Sequence, residues 1–138
     1  MKLKNIVIAS VATLSFGAAL TMTSKSVSAY SSYKSIPTAI RGYYISKPGN
    51  DSLKITKHAI VSGSPLADSY FYRVTKVNRS GHNYHVHAHI TLGNTTYFTM
   101  KLSHYKKNKI YSAGYTYTKT SKAKYHYFLN HFNHAYGY

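Results

Sequence analysis

Apolar and polar positions alternate along most of this chain with a period of two, which places successive side chains on opposite faces of a β-strand. Ile40-Arg41-Gly42-Tyr43-Tyr44-Ile45 is rich in β-formers and stops at the turn signal Lys47-Pro48-Gly49-Asn50-Asp51. Leu53 and Ile55 alternate with Lys54 and Thr56 as a half-buried strand, before a loop at Ser62-Gly63-Ser64-Pro65. Tyr70 to Val77 reads as the next strand, and Asn78-Arg79-Ser80-Gly81 turns it into His85–Leu92 as a hairpin. Gly93-Asn94 makes another turn. Phe98, Met100 and Leu102 then alternate with Tyr97, Thr99 and Lys101, and Lys107-Asn108 turns into Ile110–Tyr117. The last segment changes period. Tyr125, Phe128, Leu129 and Phe132 fall at i, i+3, i+4 and i+7, which predicts a helix over about 121–133. Ser121 or Thr120 caps its start, and Lys122, His126, Asn130 and Asn133 lie on its other face. The expectation is an all-β fold of six or seven antiparallel strands in meander order, with one C-terminal helix closing an end. Regular turn spacing favours a small barrel over an open sheet, because a barrel leaves no edge strands to aggregate.

The amino terminus has a different pattern. Lys2 and Lys4 precede an apolar run from Ile6 to Leu20, broken only by Ser10, Thr13, Ser15 and Gly17. At about 15 residues the run is short of the ~20 that span a bilayer. It leads to the small residues Val27-Ser28-Ala29, which predicts a signal peptide over 1–29 cleaved between Ala29 and Tyr30. No Cys follows the run and no second apolar span or sorting tail closes the chain, so a secreted product without covalent anchorage is expected. Residues 30–138 then make one domain.

Composition narrows the chemistry. The formal charge is +16 over 138 residues, and removing Lys2, Lys4 and Lys25 leaves +13 with Asp51 and Asp68 as the only acids. All nine His lie beyond residue 29, so acidification toward pH 5 lifts the charge toward +22. Such a surface attracts polyanions. Two carboxylates leave almost no material for paired-carboxylate hydrolysis or Ca²⁺ sites. The absence of Cys excludes a thiol nucleophile and a disulfide framework, and it favours a Gram-positive source. No phosphate-cradling glycine loop, nucleophile elbow or HExxH pattern occurs, so no enzyme and no cofactor is expected.

Ile36-Pro37-Thr38-Ala39-Ile40-Arg41-Gly42-Tyr43-Tyr44 resembles the Pro-x-x-Leu-Arg-Gly-Thr-Trp-Tyr opening of small secreted basic proteins of lactic-acid bacteria, often described as lipocalin-like. Leu53-Lys54-Ile55-Thr56-Lys57-His58 and the ending Tyr115 to Lys122 are similar to theirs as well, although Tyr43 stands where that family tends to carry Trp. The resemblance implies a lipocalin- or calycin-like barrel and an extracellular setting. It implies no particular activity, since fold alone does not fix function.

Three clusters are candidates for a site. Lys101, Lys106, Lys107, Lys109, Lys119, Lys122 and Lys124 are interleaved with Tyr105, Tyr111, Tyr115 and Tyr117, a mixture suited to phosphate polymers and stacked rings. After export the abundant polyphosphate is wall teichoic acid rather than nucleic acid. His85, His87 and His89 project from one strand face, opposite an apolar face of Tyr84, Val86, Ala88, Ile90 and Leu92. With no carboxylate nearby to orient the imidazoles, they read as a pH-responsive charge patch rather than a metal site. His131 and His134, at i and i+3, fit an exposed helical face better than a chelate. Asn78-Arg79-Ser80 and Asn94-Thr95-Thr96 match glycosylation sequons but read as turn residues. The expected function is non-enzymatic attachment by charge to anionic wall polymer or an anionic host surface. The alternative is a carrier whose barrel mouth takes a small apolar or aromatic ligand. A membrane-active role is disfavoured, because the one strong amphipathic helix is short and its apolar face covers the barrel.

Overall fold

Eight antiparallel strands close on themselves in the computed structural model, which describes residues 30–131. The expected cleavage position at Ala29, the helical residue Phe132 and His134 lie outside the described residues. A short strand β1 (Tyr30–Tyr33) leads in. The barrel consists of β2 (Gly42–Ser46), β3 (Asp51–Ile55), β4 (Ala59–Gly63), β5 (Ser69–Ser80), β6 (Asn83–Leu92), β7 (Asn94–Lys106), β8 (Lys109–Ser112) and β9 (Tyr115–Thr120). Each strand pairs with the next, and β9 returns to β2 through Tyr43↔Thr120, Tyr44↔Lys119 and Ile45↔Thr118, so the ring has no open edge. The fold is the expected small meander barrel, lipocalin-like in architecture.

Two strands were not visible as separate in the sequence. Ala59–Gly63 is β4, and the run Ile110–Tyr117 is cut in two at Ala113-Gly114. Both residues of that turn hold positive φ, 50° at Ala113 and 88° at Gly114, the backbone of a tight hairpin turn. Alanine carries no turn signal, which is why the break was hidden. The β5–β6 turn also sits later than expected. β5 continues through Ser80, and the reversal is made at Gly81 (φ 58°) and His82.

Inward side chains fill the barrel. Tyr44, Leu53, Ile55, Ile60, Val74, Val77, Tyr84, Val86, Ala88, Leu102, Ile110 and Tyr117 form one buried cluster. Ile36, just before the 3-10 turn Thr38–Ile40, and Ile40, its last residue, are fully buried in the same cluster and plug the end from which β2 starts. The Tyr44 hydroxyl donates to the Ile40 carbonyl at 3.1 Å, and the Arg41 Nε–H donates to the Ile36 carbonyl at 2.8 Å, which fixes the plug. Burial pushes the Tyr44 phenol up to about 12. Gly42 beside the plug has φ +143°, which favours glycine, while the Lys119 chain end that a Cβ there would meet at 2.6 Å is flexible and can move aside.

Tyr117 corrects an expectation. Read from sequence among the surface rings, it is buried, and its hydroxyl donates to Asp51 Oδ2 at 2.7 Å. Burial first, then the Asp51 bond and charge, raises its pKa well above the usual phenol range. One of the two acids of the chain is thereby committed to the wall, where Ser62 Oγ also donates to it at 3.4 Å.

The helix α1 (Lys122–Asn130) is capped by Ser121, whose side chain accepts the Lys124 N–H at 3.2 Å. It was expected to close an end of the barrel and instead lies along the outside of the wall. Tyr43, which alternates outward from buried Tyr44, packs on Tyr125 with ring centroids 5.1 Å apart. The Leu66 N–H, in the β4–β5 loop, donates to the Leu129 carbonyl at 2.8 Å, so the helix spans from the plugged end to the opposite one. Its buried face is Tyr125 and Phe128. Among the described residues no helix is long and apolar enough to cross a membrane.

Candidate functional site

The histidine row is where the alternation put it, although its surroundings are not bulk solvent. Tyr84, Val86 and Ala88 point into the core, so His85, His87 and His89 project outward and are half-buried between β5 and β7. Their cross-strand neighbours are Asn78, Lys76 and Arg73 on β5, and Lys101, Thr99 and Tyr97 on β7. The row is therefore flanked by cations. His87 bridges the sheet, with Nε2 3.0 Å from Asn78 Nδ2 and Nδ1 2.9 Å from Thr99 Oγ1. An amide nitrogen can only donate, so this arrangement selects the tautomer whose Nδ1–H donates to Thr99. A second proton, on Nε2, requires the Asn78 amide to turn and present Oδ1, which has no partner here. The other face of β6 departs from the expectation at its end. Ile90 is only half-buried and Leu92 is 69% exposed, because pairing with β5 stops at Arg73↔His89 and the β6–β7 hairpin runs past the barrel rim.

The late lysines do not form one patch. Lys106 and Lys109 border a hollow of about 460 Å³ on the outer wall with Tyr105, Tyr111 and Thr116. Lys119 and Lys124 border a longer groove of about 1170 Å³ between α1 and β9. Thr116 belongs to both, and with Thr118 and Thr120 it forms a column of hydroxyls on the outward side of β9. The helix wall of the groove carries Lys124, Tyr127 and His131 at i, i+3 and i+7, over a floor that includes Ile45 and Phe128. Tyr127 and His131 stack face to face with centroids 3.9 Å apart, and His131 Nδ1 lies 2.7 Å from the Tyr127 carbonyl, which makes Nδ1 the donor. Lys119 crosses over Gly42 and holds its Nζ 5.9 Å from the Tyr44 ring. Lys107 sits in the β7–β8 turn and Lys122 opens α1, both exposed, whereas Lys101 stands opposite His85 on β7 and belongs with the histidine row.

Position along the chain gave no hint of His104 or its neighbours. The β6–β7 register, with Asn83 opposite Ser103, brings the β5–β6 turn to the end of β7, where the His104 N–H donates to the His82 carbonyl at 2.8 Å. Burial chiefly, and then the charges of Lys119, Arg79 and His82, lowers the His104 pKa from 6.5. The threonine column and Tyr127 were also missed, since their meaning lies in which strand stands beside which helix. No family model, no curated protein and no solved structure matches this chain.

Proposed function

We propose that the protein is a secreted, non-enzymatic, envelope-associated binding protein, held by charge to anionic wall polymer of the teichoic-acid type or to an anionic host surface. The observation that carries this reading is the outer face running from the β7–β8 hairpin across β9 to α1. There Lys106 and Lys109 with the exposed rings of Tyr105 and Tyr111 border one hollow, Lys124 with Tyr127 borders the next, and a column of threonine hydroxyls that begins at the shared Thr116 joins them. Lysines meet phosphates, hydroxyls bridge to polyol or sugar oxygens, and rings offer flat faces to a repeating chain. The filled interior supports an external site as well. Tyr44, Tyr84 and Tyr117 occupy the space that a lipocalin-like carrier of a small ligand keeps open.

The test is binding to purified walls, with and without teichoic acid, across a salt series. The native protein should bind the intact walls and be released by about 1 M salt, where the screening length is ~3 Å. Replacing Lys106, Lys109 and Lys124 together with Ala should flatten the slope of log affinity against log salt by about 2. Equal retention on stripped walls, or an unchanged slope in the variant, refutes the reading.

A further inference from the structure

At the end of the barrel opposite the plug, β5 and β6 part company. Beyond Arg73↔His89, residues 69–72 continue against β4 while 90–92 continue against β7, leaving a cleft of about 360 Å³ between them. Its walls include Tyr70, Phe71 and Leu92, exposed by 47%, 55% and 69%, with Arg73 and His89 at its base. Tyr97, 73% exposed, extends the apolar surface by packing on His89 with ring centroids 5.3 Å apart. Large apolar side chains exposed singly on a soluble surface need no explanation, but four of them around one cleft do. His89 Nδ1 is buried here with no hydrogen-bond partner among the described residues. A polar atom in that condition is satisfied when an outside group supplies the partner.

We propose that this splayed end docks on an anionic lipid bilayer, with Phe71 and Leu92 entering the headgroup–acyl boundary and Arg73 and His89 meeting lipid phosphates. Apolar tips with tyrosines and a cation just behind them match the depth profile of a bilayer interface. The charge beyond residue 29, +13 with Asp68 in the preceding loop as the nearby exception, supplies the long-range attraction to anionic headgroups. This surface is separate from the β8–β9–α1 face and does not rest on the polymer-binding reading.

The sequence contains no Trp, so Leu92→Trp is a reporter without background. Mixed with vesicles of phosphatidylglycerol and phosphatidylcholine, L92W should shift its emission to the blue and be quenched by lipids brominated near the headgroup. Pure phosphatidylcholine vesicles should leave it unchanged. Adding Phe71→Ser should weaken partition about tenfold, the worth of burying the exposed half of that ring. The variant lacking Lys106, Lys109 and Lys124 should still insert, and its failure to bind walls would be independent of that result. A circular dichroism melt confirms that each variant is folded. If F71S falls short of a folded state, Phe71→Tyr, which keeps the ring and adds a hydroxyl, should weaken partition by a smaller factor. No shift with anionic vesicles, or equal partition after the Phe71 change, overturns the proposal. So does an equal shift with monomeric laurate, which assigns the cleft to a free amphiphile, or a concentration-dependent shift without lipid, which assigns it to a second copy of the chain.

Discussion

Tyr117→Phe removes one oxygen atom from the barrel wall and nothing else. The ring stays, so packing against the core is preserved, but Asp51 Oδ2 loses the 2.7 Å bond from the phenol. A hydrogen bond to a charged acceptor contributes about 1.5–3 kcal/mol, and Asp51 is half-buried, so water replaces the lost donor only in part. Asp51 keeps the longer contact from Ser62 at 3.4 Å in compensation. The expected loss is therefore about 2 kcal/mol, which for a domain of this size lowers Tm by about 10 °C. In urea the midpoint should fall by about 1 M with the slope unchanged, since the same surface is exposed on unfolding. A double-mutant cycle with Asp51→Asn isolates the pair, and its coupling energy should exceed about 1 kcal/mol. The pH dependence supplies a second reading of the same residue. Tyr44 is raised to about 12 and Tyr117 is raised further, so the unfolded chain releases these protons before the folded one. Their contribution is complete below about pH 10 and is lost as pH climbs through the folded values, a loss that Tyr117→Phe should reduce. A stability change below about 0.5 kcal/mol, or no coupling to Asp51, would refute the structural role assigned to this bond.

Three other substitutions test separate parts of the fold. Ala113→Asn should stabilise by about 0.5–1 kcal/mol in thermal melts, because Ala113 holds φ 50° and Asn accepts that region at lower cost. Ser121→Ala should destabilise by about 1 kcal/mol through loss of the cap on the Lys124 N–H, read by chemical denaturation. His104 is depressed below 6.5, so the unfolded state binds its proton first, and stability should fall as pH drops below about 6.5. His104→Gln should shrink that decline, and melting temperatures at pH 7 and 5 measure it.

The histidine row shows how much a strand pattern conveys. Alternation of Tyr84, Val86 and Ala88 with His85, His87 and His89 fixed which side chains share a face, because β-geometry allows no other outcome. It could not convey that Asn78 and Thr99 would clasp His87, since both partners come from other strands. Irregularities also lie outside what alternation conveys. In β5 a register shift between Val74 and Lys76 turns both Val74 and Val77 inward, although they are three residues apart. In β7 Leu102 and Ser103 are both buried although they alternate, because Leu102 lies opposite core Tyr84 while Ser103 donates to Asn83 Oδ1 on the other face. A bulge reverses the parity on which face assignments depend, and no residue type announces it.

What the sequence determined by itself was local and additive: strand alternation, the glycine and asparagine turns, the Ser121 cap, the apolar face of α1, and a positive charge that follows from counting. These depend on residues within a few positions of one another. Tertiary structure alone decided that β9 closes on β2, that Tyr117 faces Asp51 and Lys119 crosses Gly42, and that α1 lies beside the threonines of β9. It also decided that β5 and β6 diverge beyond His89 to leave Phe71 and Leu92 in the open. The reason is that barrel closure fixes strand stagger through all eight pairings at once, and no single segment carries that condition.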